Sequence, residues 1–237
     1  MRKYLSVFNF YVCQRAKSNL LILLFLSVFN LAGFYGLGFM RRGNFDAGSS
    51  CTFLAFLFFI AYTLIFFYSV TMAGKKSHPG LLIERLKVSE REVFFLEALA
   101  NMLFFFLLLF TEMITVGILL ILYMNAATYT HGPQGMVVAL YRDSFLHGLI
   151  PLKEYVIYVR NIFFVISSGF ATAWISMCNR KGKNIAVVFV FYSMLVLSFK
   201  QGLLSGYSPL TSFFAFLICL AFVYDAFKSA HPGRRRK

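Results

Sequence analysis

From Val93 to Met124 the chain carries only two charged side chains, Glu97 and Glu112, and no proline. A helix over that stretch would rise about 48 Å, against the roughly 30 Å of hydrocarbon in a bilayer. Such a run belongs in a membrane, and its excess length is expected to protrude into the cytoplasm or to be taken up by tilt. The rest of the chain agrees. Hydrophobic residues make up 59% and charged residues 14%, where a soluble domain has about 45–50% and about 25%. Five further apolar runs, at about 19–39, 52–72, 156–178, 185–204 and 209–228, make six expected transmembrane helices with the long one at 93–124. The run at 185–204 is interrupted at its end by Lys200-Gln201-Gly202, so an irregular outer end is expected there.

Residues 1–18 read differently. Lys3, Ser6, Asn9, Gln14 and Lys17 recur at intervals of three to five between Tyr4, Val7, Phe8, Tyr11 and Val12. That stripe predicts an amphipathic helix lying in the membrane interface. The competing reading is a plain helical extension of the first span.

The net charge of +14 invites a nucleic-acid reading, but the basic residues fall between apolar runs and not along a soluble face with interleaved aromatics. Their placement instead sets the orientation. With the N-terminus in the cytoplasm, the inner segments hold Arg2, Lys3, Arg15, Lys17, Lys75, Lys76, Arg85, Lys87, Arg91, Arg180, Lys181, Lys183, Lys228, Arg234, Arg235, Arg236 and Lys237. The outer side holds Arg41, Arg42, Arg142, Lys153, Arg160 and Lys200. Seventeen against six puts both termini inside. No linker divides the chain, which is expected to form one domain.

The candidate chemistry is sparse. Gly74-Lys75-Lys76-Ser77 has the look of a phosphate loop, but Ser69 and Lys76 stand where the pattern needs Gly and Ser/Thr, so no ATP site is expected in this chain. Cys13, Cys51, Cys178 and Cys219 are scattered and set up neither a disulfide framework nor a zinc site. His131, Asp143, His147 and Glu154 fall in the outer loop 125–155, with Asp143 and His147 spaced to share a helix face, a weak metal set without a third ligand. That loop is also too apolar to be solvated, and one or two short helices on the outer face would account for it. No G-x-S-x-G or H-E-x-x-H is present. Ser167-Ser168-Gly169, with Ala171 and Ala173, reads as a close helix-packing surface. Glu112 lies in mid-span, with Thr111 and Thr115 beside it. A carboxylate at that depth faces either a cavity or a partner, so these three are candidates for a translocation pathway, with a buried carboxyl bonded to a neighbouring helix as the alternative. Glu97 lies nearer the cytoplasmic end, where solvent is expected to reach it.

The segment Gly74–Glu92 joins spans two and three. Pro79 suits the first turn of a short helix with Ser77 close by, and Leu81, Leu82, Leu86 and Val88 supply an apolar side. Ser89-Glu90-Arg91-Glu92 then spells a capping box just before the long apolar run. The run Leu86-Lys87-Val88-Ser89-Glu90-Arg91-Glu92-Val93-Phe94, set between a second span and a long third one, resembles the ABC-2 type permease family, the membrane subunits of ATP-driven exporters. Lys87 stands where that family often has proline, and Glu97 near a position where it often has lysine.

The resemblance implies an all-α polytopic membrane protein of six transmembrane helices, with an N-terminal amphipathic interface helix and a cytoplasmic coupling helix between spans two and three. It implies a bacterial cytoplasmic membrane, a separate ATP-binding cassette ATPase that binds ATP and Mg, and a second permease subunit. The coupling residues would be Gly80, Leu81, Leu82, Glu84, Arg85, Leu86, Lys87, Val88 and Ser89. The chain itself would be no enzyme and would hold no cofactor. Its Phe-rich spans suggest that the exported cargo is an apolar or amphipathic compound such as a peptide, antibiotic or lipid-like compound. Two other classes fit the same spans. One is a membrane-embedded enzyme acting on lipid or peptide, which needs polar groups converging within the bilayer. The other is a non-transporting scaffold or immunity protein.

Overall fold

The computed structural model describes residues 2–36, 47–74, 89–126, 144–150 and 155–180, with isolated helical positions at 213, 217, 220, 221, 223, 224 and 228. Its elements are α1 (Arg2–Gly36), α2 (Ala47–Gly74), α3 (Glu90–Ala126), α4 (Ser144–Leu149) and α5 (Tyr155–Arg180). Four of them contain stretches long and apolar enough to cross a bilayer: Tyr4–Gly33, Thr52–Thr71, Glu90–Leu119 and Tyr155–Asn179. The protein is therefore an α-helical integral membrane protein. Expected span five, 185–204, lies outside the described residues, as does most of span six. The scattered helical positions, all from 213 to 228, fall within span six.

α1 corrects one expectation. No separate interface helix occupies 1–18, because one uninterrupted helix runs from Arg2 to Gly36. No glycine or proline interrupts residues 2–32, so nothing in the backbone chemistry turns the chain at residue 18. The buried ridge Val7, Tyr11, Arg15, Asn19, Leu23, Leu26 and Asn30 also continues across that point, at the three- and four-residue spacing of one helix face. α3 meets expectation as a single helix of 37 residues, about 55 Å long. α4 is a short helix in the stretch between α3 and α5.

Side-chain contacts set the directions of packing. Tyr4 meets Glu92, Arg15 meets Glu97 and Asn30 meets Glu112, so α1 and α3 run parallel. Ser18 meets Tyr68 and Gly33 meets Phe53, so α2 returns antiparallel to α1. α5 descends antiparallel to α3. Phe94 stacks on Phe170 at one end, with ring centroids 5.9 Å apart, and Phe110 and Tyr158 line a shared groove at the other. The small residues of α5 let it close on α3, as expected. A methyl group added at Gly169 would overlap Met102 Cγ and come within 2.9 Å of the Ala98 carbonyl oxygen.

At the centre Tyr62 packs on Phe105 and Phe164, with centroids 5.3 and 5.0 Å away. Leu24, Phe56, Phe106 and Ile121 point outward and are exposed, which in a bilayer is contact with lipid and not an aggregation surface.

Candidate functional site

Two features carry the functional argument: the start of α3, and a set of polar side chains buried between the helices.

The capping box forms as read. Ser89 N–H donates to Glu92 Oε2 at 2.9 Å, and Glu92 N–H reaches back to Ser89 Oγ at 3.4 Å. The Val93 amide then makes the first helical bond, to the Ser89 carbonyl at 3.1 Å. Two of the amides that a helix start leaves without partners are thus satisfied reciprocally. Glu90 and Glu92 in the first turn also complement the positive end of the helix dipole. A third group joins the cap. Tyr4 Oη donates to Glu92 Oε1 at 2.8 Å, tying the beginning of α1 to the beginning of α3. Of the expected coupling residues, Ser89 is this cap. Gly80, Leu81, Leu82, Glu84, Arg85, Leu86, Lys87 and Val88 lie outside the described residues.

Glu112 is completely buried, and its partner is on a neighbouring helix. Asn30 Nδ2 of α1 lies 2.9 Å from Oε2 and 3.2 Å from Oε1. Thr115 is buried and donates back to the Thr111 carbonyl at 2.8 Å, with Ser27 Oγ 3.4 Å away. Thr111 is half-buried and contributes that carbonyl. The sequence-selected trio therefore belongs to the seam between α1 and α3.

Reading the sequence missed the larger cluster. Glu97, expected near solvent, is fully buried and paired with Arg15, whose Nη2 lies 2.6 Å from Glu97 Oε1. Arg15, counted above among the charges of the inner surface, is itself buried. Its other terminal nitrogen bonds Asn101 Oδ1, and its guanidinium sits 5.3 Å from the centre of the Tyr11 ring. The chain of bonds continues. Asn101 Nδ2 donates to Thr172 Oγ1 at 2.8 Å, and Thr172 Oγ1 donates to the Ser168 carbonyl at 2.9 Å. Ser168 Oγ lies 3.1 Å from Tyr62 Oη. Residues of α1, α3, α5 and α2 are thereby joined in one polar path. The unlikeness to Glu112 is chemical. A guanidinium offers a full charge and a fork of donors, where an amide offers a dipole.

The signal that could have revealed this cluster is the ridge Val7, Tyr11, Arg15, Asn19, Leu23. Two polar residues stand in register on an otherwise apolar face. Asn19 is also fully buried, and its amide has no hydrogen-bond partner among the described residues.

At the far end of the bundle Arg160 is likewise inside, not on the surface. It donates to the Gly148 carbonyl at 3.0 Å, and Asn161 Nδ2 donates to the same oxygen at 3.0 Å. These bonds pin α4 onto α5. His147 is buried in α4, while His131, Asp143 and Glu154 lie outside the described residues. Among the described residues no three His, Cys, Asp or Glu side chains gather to hold a metal ion.

No protein-family model, curated protein or solved structure matches the chain.

Proposed function

We propose that this chain is the permease subunit of an ATP-driven exporter of the ABC-2 type. It would lie in a bacterial cytoplasmic membrane with both termini inside and pair with a second permease. An ATP-binding cassette ATPase, carrying the ATP and Mg, would dock on residues 77–90. The observation that carries the reading is the reciprocal cap at Ser89 and Glu92. It starts a helix of 37 residues directly after the basic segment that resembles the family's coupling helix.

A push at that segment would be delivered to the end of a long, unbroken rod. Helix bonds make such a rod stiff along its axis, and the cap keeps its first turn from fraying. The rod's length exceeds what a bilayer requires, which leaves its capped end free to stand clear of the hydrocarbon. The motion of the ATPase dimer would then reach the transmembrane seam at Glu112 without a flexible joint. The apolar, Phe-rich spans fit an apolar or amphipathic cargo such as a peptide, antibiotic or lipid.

The test is co-purification of an ATPase encoded beside this chain, followed by charge reversal at Glu84 and Arg85. The reading expects the ATPase to co-purify and its stimulated rate to fall several-fold in Glu84→Lys and Arg85→Glu, while the chain stays folded. If nothing co-purifies and the rates do not move, the reading fails. An activity on lipid or peptide in the purified chain alone would replace it with the enzyme reading.

A further inference from the structure

We infer that the Arg15–Glu97 pair, with Asn101 and Thr172 beyond it, sets the register between α1, α3 and α5, so that the three helices move as one body. The pair deepens the coupling reading and rests on it for its purpose. It supplies positioning residues that would carry a displacement of the capped end of α3 into the rest of the bundle.

The argument starts from what apolar packing can and cannot specify. Between α1 and α3 most contacts are aliphatic or aromatic, and such side chains tolerate a slip of one helical turn because each turn presents similar surface. Lipid adds no hydrophobic force to resist that slip. A buried ion pair does resist it. Displacing α1 by one turn toward the C-terminal end of α3 would carry Arg15 past Glu97, to the level of Asn101 and Phe105, and leave Glu97 buried without its counter-charge. Asn101 is held from the opposite side by Thr172, which ties α5 to the same level of α3.

Two further contacts place the tie. Tyr4 and Glu92 meet nearer the capped end, and Ser27 and Thr115 meet farther along the same seam. The charged tie therefore lies between a contact at the helix start and a polar contact deep in the span.

The experiment reads register directly, in membranes and without any ATPase. In a background with the four native cysteines replaced by alanine, Ser27→Cys with Thr115→Cys reports the native register by oxidative cross-linking. Ser27→Cys with Leu119→Cys reports the one-turn slip that parts Arg15 from Glu97. The apolar double variant Arg15→Met/Glu97→Leu removes the charges but keeps the volume. We expect it to fold, to lose at least threefold of the native cross-link, and to gain the slipped one. The exchanged pair, Arg15→Glu/Glu97→Arg, is expected to recover more than half of the native signal.

A native cross-linking pattern in Arg15→Met/Glu97→Leu would overturn the inference, since apolar packing alone would then set the register. Failure of the exchanged pair to recover any signal would do the same. Neither result touches the coupling reading, which stands or falls on the ATPase and on Glu84 and Arg85. Conversely, an intact tie with no ATPase partner would leave the register assignment standing and remove only its purpose.

Discussion

Glu97 and Glu112 stand on the same helix, are both fully buried, and both find a partner on α1. Glu97 receives a guanidinium that is itself shared with Asn101, and the bonding runs on to Thr172 and Ser168. Glu112 receives one amide nitrogen spread over both of its oxygens, and the Asn30 carbonyl oxygen has no donor among the described residues. The first site is closed in the sense that each charge meets an opposite charge, although the Arg15 Nε has no hydrogen-bond partner among the described residues. The second is open in that its carboxyl meets an amide and no opposite charge among the described residues. Buried ionisable groups in membrane proteins serve either as ties or as working sites. The two buried carboxyls are separated by about four turns of one helix.

The largest effect is expected from breaking the closed site on one side only. Glu97→Leu leaves the Arg15 cation buried without a counter-charge, and removing one member of a buried pair costs ~3–5 kcal/mol. Thermal unfolding of the purified chain in detergent should show the largest drop of any variant considered. Adding Arg15→Met should restore most of it, because a well-packed apolar pair replaces a buried ion pair at little net cost. If Glu97→Leu alone unfolds no earlier than wild type, water reaches Arg15 and the site is not closed.

The next effect tests how the closed site is brought together. Gly169 lets α5 approach α3 near the point where Asn101 reaches Thr172. Gly169→Val would drive atoms into Met102 and the Ala98 carbonyl oxygen, an overpacking cost of ~1–3 kcal/mol. Gly169→Ala carries the same clash in smaller form, so the pair of variants should rank by size in unfolding temperature. Equal stability of all three would mean that α3 and α5 separate freely.

The open site should respond to chemistry more than to size. Glu112→Gln keeps the shape and can both accept from and donate to Asn30, so its cost is expected within ~1 kcal/mol. Glu112→Leu strands the whole Asn30 amide, a penalty of ~1–3 kcal/mol. A transport or ATPase-stimulation assay sharpens the contrast. If Glu112 lies on the pathway, Glu112→Gln should lose activity while remaining nearly as stable as wild type. If the glutamine variant is fully active, Glu112 is a second tie between α1 and α3 and nothing more.

The sequence exposed some of this arrangement and hid the rest for identifiable reasons. The capping box was legible because its four residues are contiguous and its geometry is local. The single long third helix was legible because no breaker interrupts it, and the close approach of α5 was legible from Ser167, Ser168 and Gly169 standing together. The depth of Glu112 followed from counting residues along an apolar run. The Arg15–Glu97 pair was not legible. Its members are 82 positions apart, and each has a bland local reading, one as a basic residue near an inner end and the other as an acid near the surface. Charge counting assigns a side of the membrane and says nothing about which helix face a side chain occupies. The interface-helix expectation failed for a related reason. The stripe of Lys3, Ser6, Asn9, Gln14 and Lys17 has the look of a polar face, while the opposite ridge, which contains Arg15 and Asn19, continues into the bundle.

The smallest effect belongs to the cap, and it bears on both sites at once. Ser89→Ala removes the oxygen that accepts from the Glu92 amide, for a cost of ~1 kcal/mol. Glu92 would keep its bond to the Ser89 amide and its bond from Tyr4, so the end of α3 should loosen without detaching from α1. Hydrogen exchange should then speed up at the amides of Glu90 to Val93 and remain slow around Glu97, where the closed site holds the helix from within. Global stability should fall by no more than that ~1 kcal/mol, yet stimulation by a bound ATPase should weaken if force enters at this end. Exchange that accelerates as far as Asn101 would show that the cap and the ion pair form one cooperative unit, and the helix would then be anchored at its end and not at Glu97.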